Sequence, residues 1–237
     1  MKTATRETQL SIREIFEAFY QSEKRAGASD SMLKSCGRVL SLFGDFLNGY
    51  AYQYLDEAES ARYEAACKKD EEDAFIRTFG AEHVVHNVDE FLNDFMVRKV
   101  MSGANFKKSA ATVCKKFVKY IGKQGYIEGT DAAQAASTAS RASSSLPRVE
   151  KLANALFHWA SETAPEDVQE TLEDRFTVVR RSEAAVWLEG MMYARTVGPV
   201  KLPRAIIEAW EDGWHATLIL GRRGKAWHIL ETGNVYP

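Results

Sequence analysis

The sequence predicts a mainly α-helical protein, in which an N-terminal helical domain is joined to a small C-terminal α+β domain. Apolar residues recur at helical spacing over most of residues 11–123, whereas after Arg175 they alternate with polar residues as in half-buried strands. Between the two patterns, thirteen of the seventeen residues of 129–145 are Ala, Ser or Thr. We therefore expect a helical domain over 1–128, a flexible linker over 129–146 and a second domain over 147–237.

Composition restricts the class of protein. The chain has 237 residues and a net charge of -2, so any electrostatic function must come from local charge asymmetry. No apolar run reaches the roughly 18 residues of a membrane span, and the polar N-terminus has no signal-peptide core. The widely spaced Cys36, Cys67 and Cys114 favour reduced thiols over disulfides or a zinc site. We expect a cytoplasmic protein with no metal, no cofactor and no membrane partner.

The first helices are predicted by their caps and apolar periodicity. Ser11 and Glu14 have the spacing of a capping box, and the helix that they begin should end near residue 27. A second, longer helix is capped at one of residues 29–31. The segment 56–73 holds eight acidic against three basic residues and is a predicted helical insertion.

Helices at about 88–101 and 104–123 carry the strongest charge asymmetry. Between Arg98 and Ile127 there are eight Lys or Arg residues and no Asp or Glu. A cationic face without acids is typical of nucleic-acid binding, whereas solvated faces usually mix both signs. A solvated face nevertheless remains the alternative interpretation. The candidate nucleic-acid-binding residues are Lys34, Arg38, Lys107, Lys108, Lys115, Lys116, Lys119 and Lys123.

The C-terminal segment has the signals of a small sheet. Pro147 is predicted to open a helix, and alternation around Phe176 and Val186 predicts strands. Pro203 should start a short helix, and Gly221–Gly224 should form a hairpin turn. The last five residues, GNVYP, are similar to the final strand of an SH3-like barrel, so a barrel-like sheet crossed by a helix is expected.

Three further patterns have structural interpretations. His83 and His86 have no third ligand at metal-binding spacing, so packing or capping is favoured. The two arginines of the Gly221–Gly224 turn lack the strand–loop–helix context of a phosphate loop. Four of the five tryptophans follow Val186, and they are predicted to be core, with a base-stacking platform or peptide groove as the alternative.

The second and fourth predicted helices are related by an internal repeat of 74 residues. Two similar helical hairpins, neither able to bury its apolar stripe alone, would pack together as a four-helix unit. A chance similarity of amphipathic helices is the alternative. The matched pairs are Met32–Phe106, Lys34–Lys108, Ser35–Ser109, Val39–Val113, Phe43–Phe117, Phe46–Tyr120 and Leu47–Ile121, preceded by Phe16–Phe91 and Tyr20–Phe95.

This repeat resembles the core-binding domain of phage-integrase-type tyrosine recombinases. The matching pieces are FLNDF at 91–95, the helix of residues 102–121 that ends FVKYI, and GYI at 125–127. The resemblance covers about residues 11–128 and implies a SAM-like helical fold. It also implies that the second and fourth helices of the domain clamp one face of duplex DNA.

The catalytic residues of that family are not found. Its catalytic domain needs a His-x-x-Arg motif, but His158, His215 and His228 all lack an arginine three residues later. Tyr236 lies late in the chain without an arginine cluster that would stabilise charge on a phosphate. We therefore expect no enzymatic activity.

The favoured function is non-enzymatic DNA binding, with a C-terminal domain that recruits a protein partner or mediates self-association. The alternative is a scaffold protein that keeps the helical fold without DNA binding, and an enzyme with a site in the C-terminal domain has no motif to support it. DNA binding is favoured if Lys34 and Arg38 cluster with the other candidate cations. The scaffold is favoured if the acidic segment 56–73 covers them.

Overall fold

The structure is a computed structural model that describes residues 10–69, 72–100 and 102–237. The chain forms two compact units. The first consists of the described residues up to Met96 together with Phe106–Ser143, and the second of Val97–Asn105 and Ser144–Pro237. Helices make up the first unit and a five-stranded barrel dominates the second. The predicted combination of a mainly α-helical protein with a small C-terminal α+β domain is confirmed.

Nine helices of the described residues are numbered in chain order. A 3-10 turn over Ala51–Tyr54 follows α2, and a π-helical turn over Phe91–Phe95 joins α5 to α6. No helix in this part of the chain is long and apolar enough to cross a membrane. The helices are α1 Ile12–Arg25, α2 Asp30–Tyr50, α3 Glu57–Cys67, α4 Ala74–Thr78, α5 Ala81–Glu90, α6 Met96–Arg98, α7 Ala104–Lys123, α8 Gly129–Thr163 and α9 Arg204–Ala209.

Local capping sets the helix starts that the sequence predicts. Ser11 and Glu14 form a reciprocal capping box at α1. Ser29 caps α2 by accepting a hydrogen bond from the Met32 N–H at 3.3 Å. The acidic segment forms α3 as expected, while its residues 70 and 71 lie outside the described residues. The third predicted helix begins at Ala81 rather than near residue 88, directly after Gly80.

Aromatic contacts between the two sequence repeats form the centre of the first unit. The Phe16 ring of α1 lies 5.3 Å from the Phe117 ring of α7. The Phe91 ring stacks on Phe43 of α2 with centroids 4.5 Å apart. Each contact is the repeat equivalent of the other, because Phe91 corresponds to Phe16 and Phe117 to Phe43. The first helix of each repeat therefore contacts the second helix of the other repeat.

The Ala/Ser-rich segment is not the flexible linker that its composition predicts, because it forms the first half of α8. Ala139 is completely buried, and a Cβ atom added to Gly122 of α7 would lie 2.5 Å from that of Ala132. Small side chains thus allow α8 to approach α7 closely. Pro147 lies inside α8 and does not open a helix, and the division between the units falls after Ser143.

The second unit contains a closed five-stranded barrel. Its strand order is β1-β2-β3-β5-β4, and β4 pairs with β1 to close it. The predicted hairpin joins β4 to β5 through the two residues after Arg223, where Gly224 has the positive φ, +63°, that two-residue hairpin turns favour. The strands are β1 Glu170–Arg181, β2 Ala185–Gly190, β3 Thr196–Lys201, β4 His215–Arg223 and β5 Ala226–Tyr236.

The strand order differs from that of the expected SH3-like barrel, in which successive strands pair in sequence. Here β3 pairs in parallel with β5, and α9 lies between β3 and β4. A barrel topology does not define a function by itself, so the function must be argued from side chains.

The barrel core includes part of α8. Leu152 and Leu156 of α8 belong to the same buried cluster as Phe176 and Leu188 of the barrel. Phe157 of α8, in contrast, is exposed. Three of the four C-terminal tryptophans are core, as predicted, namely Trp210, Trp214 and Trp227.

Candidate nucleic-acid interface

The two repeat-related helices α2 and α7 meet near their N-terminal ends. The Ser35 and Ser109 hydroxyls are hydrogen-bonded at 2.5 Å, although the residues are 74 positions apart. The Arg38 guanidinium lies 3.9 Å above the ring centre of Phe106. Ser35 and Ser109 are equivalent positions in the sequence repeat. Contact between equivalent positions is what a two-fold relation produces, so the repeats have a local pseudo-two-fold relation here.

This junction gathers three of the candidate cations. Lys34 and Lys108 immediately precede the two bonded serines, and both side chains are exposed. Arg38 is also accessible to solvent, one turn after Lys34 on α2. None of the three forms an ion pair within the described residues. We call Lys34, Arg38 and Lys108 the junction cations.

The exposed cationic surface continues along α7. Lys119 and Lys123 are exposed, and the part of the chain that the structure describes offers neither of them an acidic partner. Lys119 lies eleven residues after Lys108, which corresponds to about 16 Å along a helix at 1.5 Å per residue. Five candidate cations on α2 and α7 are therefore exposed and form no ion pair with a described residue.

The other three candidate lysines do not fit the predicted face. Lys107 is only 6% exposed. Lys115 donates a hydrogen bond from Nζ to the Ser140 hydroxyl of α8 at 3.0 Å. Lys116 forms an ion pair with Glu23 of α1 at 2.8 Å. Lys115, a candidate nucleic-acid-binding residue, is therefore engaged by α8 instead of standing free beside Lys108 and Lys119.

The cause is a second buried side of α7 that helical periodicity did not reveal. Ala111, Cys114 and Val118 are buried in addition to the predicted apolar stripe. Because the composition of 129–145 predicts a linker, this side of α7 had no predicted neighbour. Ala111 and Cys114 have small side chains, so they did not stand out in the sequence as part of a buried surface.

The acidic segment 56–73 makes its identified contacts away from the junction cations. Glu59 of α3 lies 3.0 Å from the His83 imidazole of α5, and the Arg62 guanidinium donates to the Thr78 carbonyl at 3.1 Å. No ion pair joins this segment to a junction cation in residues 10–69, 72–100 and 102–237. The described residues of the acidic segment therefore do not pair with the junction cations.

The two histidines of α5 have structural surroundings. His83 is buried, with its ring 4.6 Å from that of Phe79, which agrees with the packing interpretation. His86 lines a cleft of about 400 Å³ with Asp89 and Arg141. The residues that the structure describes contain no group of three His, Cys, Asp or Glu side chains suited to a metal ion.

A second basic and aromatic surface occurs on the outside of the barrel. Trp187 of β2 faces outward, and the Arg180 guanidinium of β1 lies 3.5 Å above its ring centre. A β-bulge in β1 after Val178 shifts the register so that Arg180 pairs with Trp187. The prediction that Trp187 is core, like the other three C-terminal tryptophans, is therefore wrong. Val186 and Leu188 are apolar and buried, and side chains alternate along a strand. Their positions therefore indicate that residue 187 faces outward.

The arginines of the β4–β5 hairpin differ in their surroundings. Arg222 donates to Glu170 at 2.9 Å and to the Gly224 carbonyl at 3.1 Å, so its role is structural. Arg223 is exposed. Burial lowers the pKa of His228 on β5, and the positive charges of Arg223 and Lys201 lower it further.

Tyr236, the late tyrosine, is not presented as a nucleophile. It is 7% exposed, and the Arg175 guanidinium lies 4.4 Å from its ring centre. The Asn234 side-chain amide donates to its hydroxyl at 3.4 Å. These contacts place Tyr236 within the barrel wall.

No protein-family model, curated protein or solved structure matches this chain.

Proposed function

We propose that the protein is a non-enzymatic binder of duplex DNA, and that its first unit is a SAM-like, four-helix relative of the tyrosine-recombinase core-binding domain. The Ser35–Ser109 contact carries this proposal, because it brings Lys34, Arg38 and Lys108 together without acidic partners in the described residues. Lys119 and Lys123 extend the same cationic character along α7.

Electrostatics explain why these cations suit a polyanion. Exposed like charges at a helix junction repel one another unless counterions or a polyanion neutralise them. Duplex DNA supplies phosphates, and each neutralised phosphate releases counterions. Phosphate contacts position a protein on the duplex without reading its bases. The proposed binding is therefore salt-dependent and largely independent of sequence.

The second unit is a candidate for protein recruitment or self-association. The β2–β3 loop exposes three consecutive large side chains, Met191, Met192 and Tyr193, of which Met192 is 77% exposed. Flexible methionines and tyrosine are frequent in adaptable protein interfaces. Under the scaffold alternative, this loop rather than the junction cations would carry the main function.

A charge-matched pair of double variants tests DNA binding. In the full-length chain, Lys34→Ala/Lys108→Ala should reduce the slope of log affinity against log salt by roughly 1.8, because each lysine that neutralises a phosphate contributes about 0.9 to that slope. The control Lys68→Ala/Lys69→Ala removes the same charge at exposed positions after α3, and should leave the slope unchanged.

Both double variants should melt at the wild-type temperature, because all four lysines are exposed. Equal weakening of binding in both variants would show that only total charge matters. Salt-independent or undetectable binding by the wild type would replace the proposal with the scaffold alternative.

A further inference from the structure

A groove of about 690 Å³ lies between α1 and α2 of the first unit. Three of its lining residues are buried apolar side chains that form its floor, namely Phe16 of α1, Leu40 of α2 and Ile76 of α4. The charged side chains of the lining are exposed or partly exposed, and they form the rims. An apolar floor with polar rims suits an amphipathic ligand. We call this feature the α1–α2 groove.

The rims of the groove are mostly acidic. Four carboxylates, those of Glu14, Glu17, Asp45 and Asp73, line it together with one cation, Arg13. Four negative charges against one positive charge leave a formal charge of -3 at the groove. A surface of this sign is complementary to a cationic ligand and disfavours an anionic one. The groove therefore differs in sign from the junction cations.

Asp45 of α2 is the carboxylate of the groove that is left without a partner. Glu14 belongs to the capping box of α1, and Asp73 pairs with Arg13. Glu17 accepts a hydrogen bond at 2.8 Å from a glutamine side chain one turn later in α1. Asp45 forms neither a hydrogen bond nor an ion pair with any residue that the structure describes. Burial raises its pKa, and the negative charge of Asp73 raises it further.

Two glycines of α2 line the groove without a packing requirement inside the chain. A Cβ atom at Gly37 would lie 3.7 Å from Cε2 of Tyr20, and one at Gly44 would lie 3.6 Å from Cε2 of Phe16. Both distances are ordinary van der Waals contacts, so alanine would fit, and neither glycine has a positive φ. Glycine inside a helix is destabilising relative to alanine, but it lets another chain approach the backbone closely.

We propose that the α1–α2 groove binds a helix of a protein partner, with small side chains of that helix against Gly37 and Gly44 and a lysine or arginine beside Asp45. An amphipathic helix laid in a groove is a recurrent mode of peptide recognition. Helix axes approach most closely where the side chains at the contact are small. The site does not depend on the proposed duplex binding.

The length of the groove favours a helix over a small amine. Its α2 side extends from Gly37 to Asn48, which corresponds to about 16 Å along the helix at 1.5 Å per residue. About three turns of a partner helix cover this distance, because each turn rises 5.4 Å. A small amine would neutralise Asp45 and leave Gly37, about 12 Å away along α2, without a role.

Binding of designed helical peptides to the full-length chain tests this proposal. A panel of fluorescein-labelled, alanine-rich helices would carry lysines beside a face of small side chains, with the lysine position varied among the members. Matched peptides would carry glutamate in place of lysine. Fluorescence anisotropy at moderate salt should detect binding of a lysine peptide and no binding of its glutamate equivalent.

Glycine variants test the close contact. Gly37→Ala/Gly44→Ala should weaken binding roughly ten-fold or more, because the added methyl groups fill space that the partner helix occupies. Its melting temperature should equal or exceed that of the wild type, since alanine fits at both positions and is the better helix former. The control Gly49→Ala makes the same change in α2 at an exposed position with open space around it, and should bind like the wild type.

A charge variant tests the position of the cation. Asp45→Asn should weaken binding of the lysine peptide several-fold and make the remaining affinity less dependent on salt. Its thermal stability should not fall, because Asp45 has no partner in the described residues to lose. The control Glu64→Gln removes an exposed carboxylate of α3 outside the groove and should leave binding unchanged.

Several results would overturn the proposal. These are no binding by any lysine peptide, equal binding of lysine and glutamate peptides, and equal binding by the wild type and Gly37→Ala/Gly44→Ala. Full displacement of the peptide by spermidine at equal concentration would assign the groove to a small amine instead. A dimer in sedimentation that Gly37→Ala/Gly44→Ala dissociates would assign it to a second copy of the chain. A failure of duplex binding, with peptide binding intact, would count only against the proposed function.

Discussion

At the scale of single residues, Asp174 organises the exposed loop of the barrel. Its carboxylate is 3% exposed and accepts backbone hydrogen bonds from Met192 at 3.0 Å and Tyr193 at 3.3 Å. A buried carboxylate needs such donors, because burying a charge without partners is costly. The loop therefore displays its large side chains from a backbone that is fixed in place.

We expect Asp174→Ala to lower the free energy of unfolding by about 1–3 kcal/mol, because the Met192 and Tyr193 N–H groups are left without their acceptor. Urea denaturation of the full-length chain measures the change. Glu173→Ala removes the adjacent exposed carboxylate and should change stability by no more than about 0.5 kcal/mol. Equal effects of the two variants would contradict the proposed role of Asp174.

Two barrel histidines give a prediction about pH. Burial lowers the pKa of both His215 and His228, with Arg175 adding to the effect at the first, and Arg223 and Lys201 at the second. The unfolded chain, with a histidine pKa near 6.5, therefore binds more protons than the folded chain at mildly acidic pH. The stabilising contribution is present above about pH 6.5 and is lost as the pH falls toward the lowered folded values.

The measurement is the free energy of unfolding between pH 7.5 and pH 5. His215→Gln/His228→Gln should show a shallower loss of stability with falling pH than the wild type. His158→Gln, which changes an exposed histidine of α8, is the control and should follow the wild-type curve. A double variant as pH-sensitive as the wild type would show that other groups cause the loss.

At the scale of elements, α8 shows how composition can mislead. Alanine is both the best helix former and a common residue of flexible segments, so the same run of alanines fits either state. The deciding factor is packing: five alanines between 132 and 142 are buried. Only the position of neighbouring elements, which no local pattern reveals, distinguishes the two outcomes.

A pair of substitutions in α8 tests whether this segment is packed. Ala139→Glu places a carboxylate at a completely buried position and should lower the free energy of unfolding by several kcal/mol. Ala133→Glu makes the same change at an exposed position of the same helix and should have little effect. If 129–145 were a flexible linker, both variants would be equally harmless in urea denaturation.

Local signals predicted local structure well. The Ser11–Glu14 capping box and the Ser29 cap begin α1 and α2 as expected, and the hairpin forms around Gly224. The strand order did not follow from sequence, because the pairing of β3 with β5 joins segments far apart in the chain. Strands of an SH3-like barrel and strands of the observed barrel both alternate buried and exposed residues. This alternation therefore could not distinguish the two strand orders.

The candidate site, like the strand order, was predicted only in part, because contacts between distant segments do not follow from local sequence. Charge asymmetry identified α7, and the repeat identified Ser35 and Ser109 as equivalent positions that turned out to touch. Lys115 donates a hydrogen bond to Ser140, and Ser140 lies in a segment that was predicted to be a linker without packing neighbours. Trp187 was predicted to be core with the other three C-terminal tryptophans, because it was not assigned a side of its strand.

At the scale of the whole molecule, the candidate duplex-binding surface belongs to a chain of net charge -2. Because the total charge is nearly neutral, attraction to a polyanion must come from a local cluster, here the junction cations of α2 and α7.

The proposed absence of strand cleavage is testable on the same molecule. Tyr236 lies in the barrel wall with its hydroxyl accepting from Asn234, so we expect no covalent protein–DNA adduct on a nicked suicide duplex. Wild type and Tyr236→Phe should behave alike in denaturing gel electrophoresis. An adduct that forms with the wild type and disappears in Tyr236→Phe would establish a phosphotyrosine intermediate and an enzymatic function.

The most direct test of the central claim is a lysine footprint on duplex DNA. The full-length chain would be acetylated briefly with and without a saturating duplex at low salt, and modification at each lysine would be measured by mass spectrometry. We expect the duplex to protect Lys34, Lys108, Lys119 and Lys123, while Lys68 and Lys69 react at the same rate with and without DNA. Protection of Lys68 and Lys69 with full reactivity at Lys34 and Lys108 would contradict the assignment of the junction cations as the duplex-binding surface.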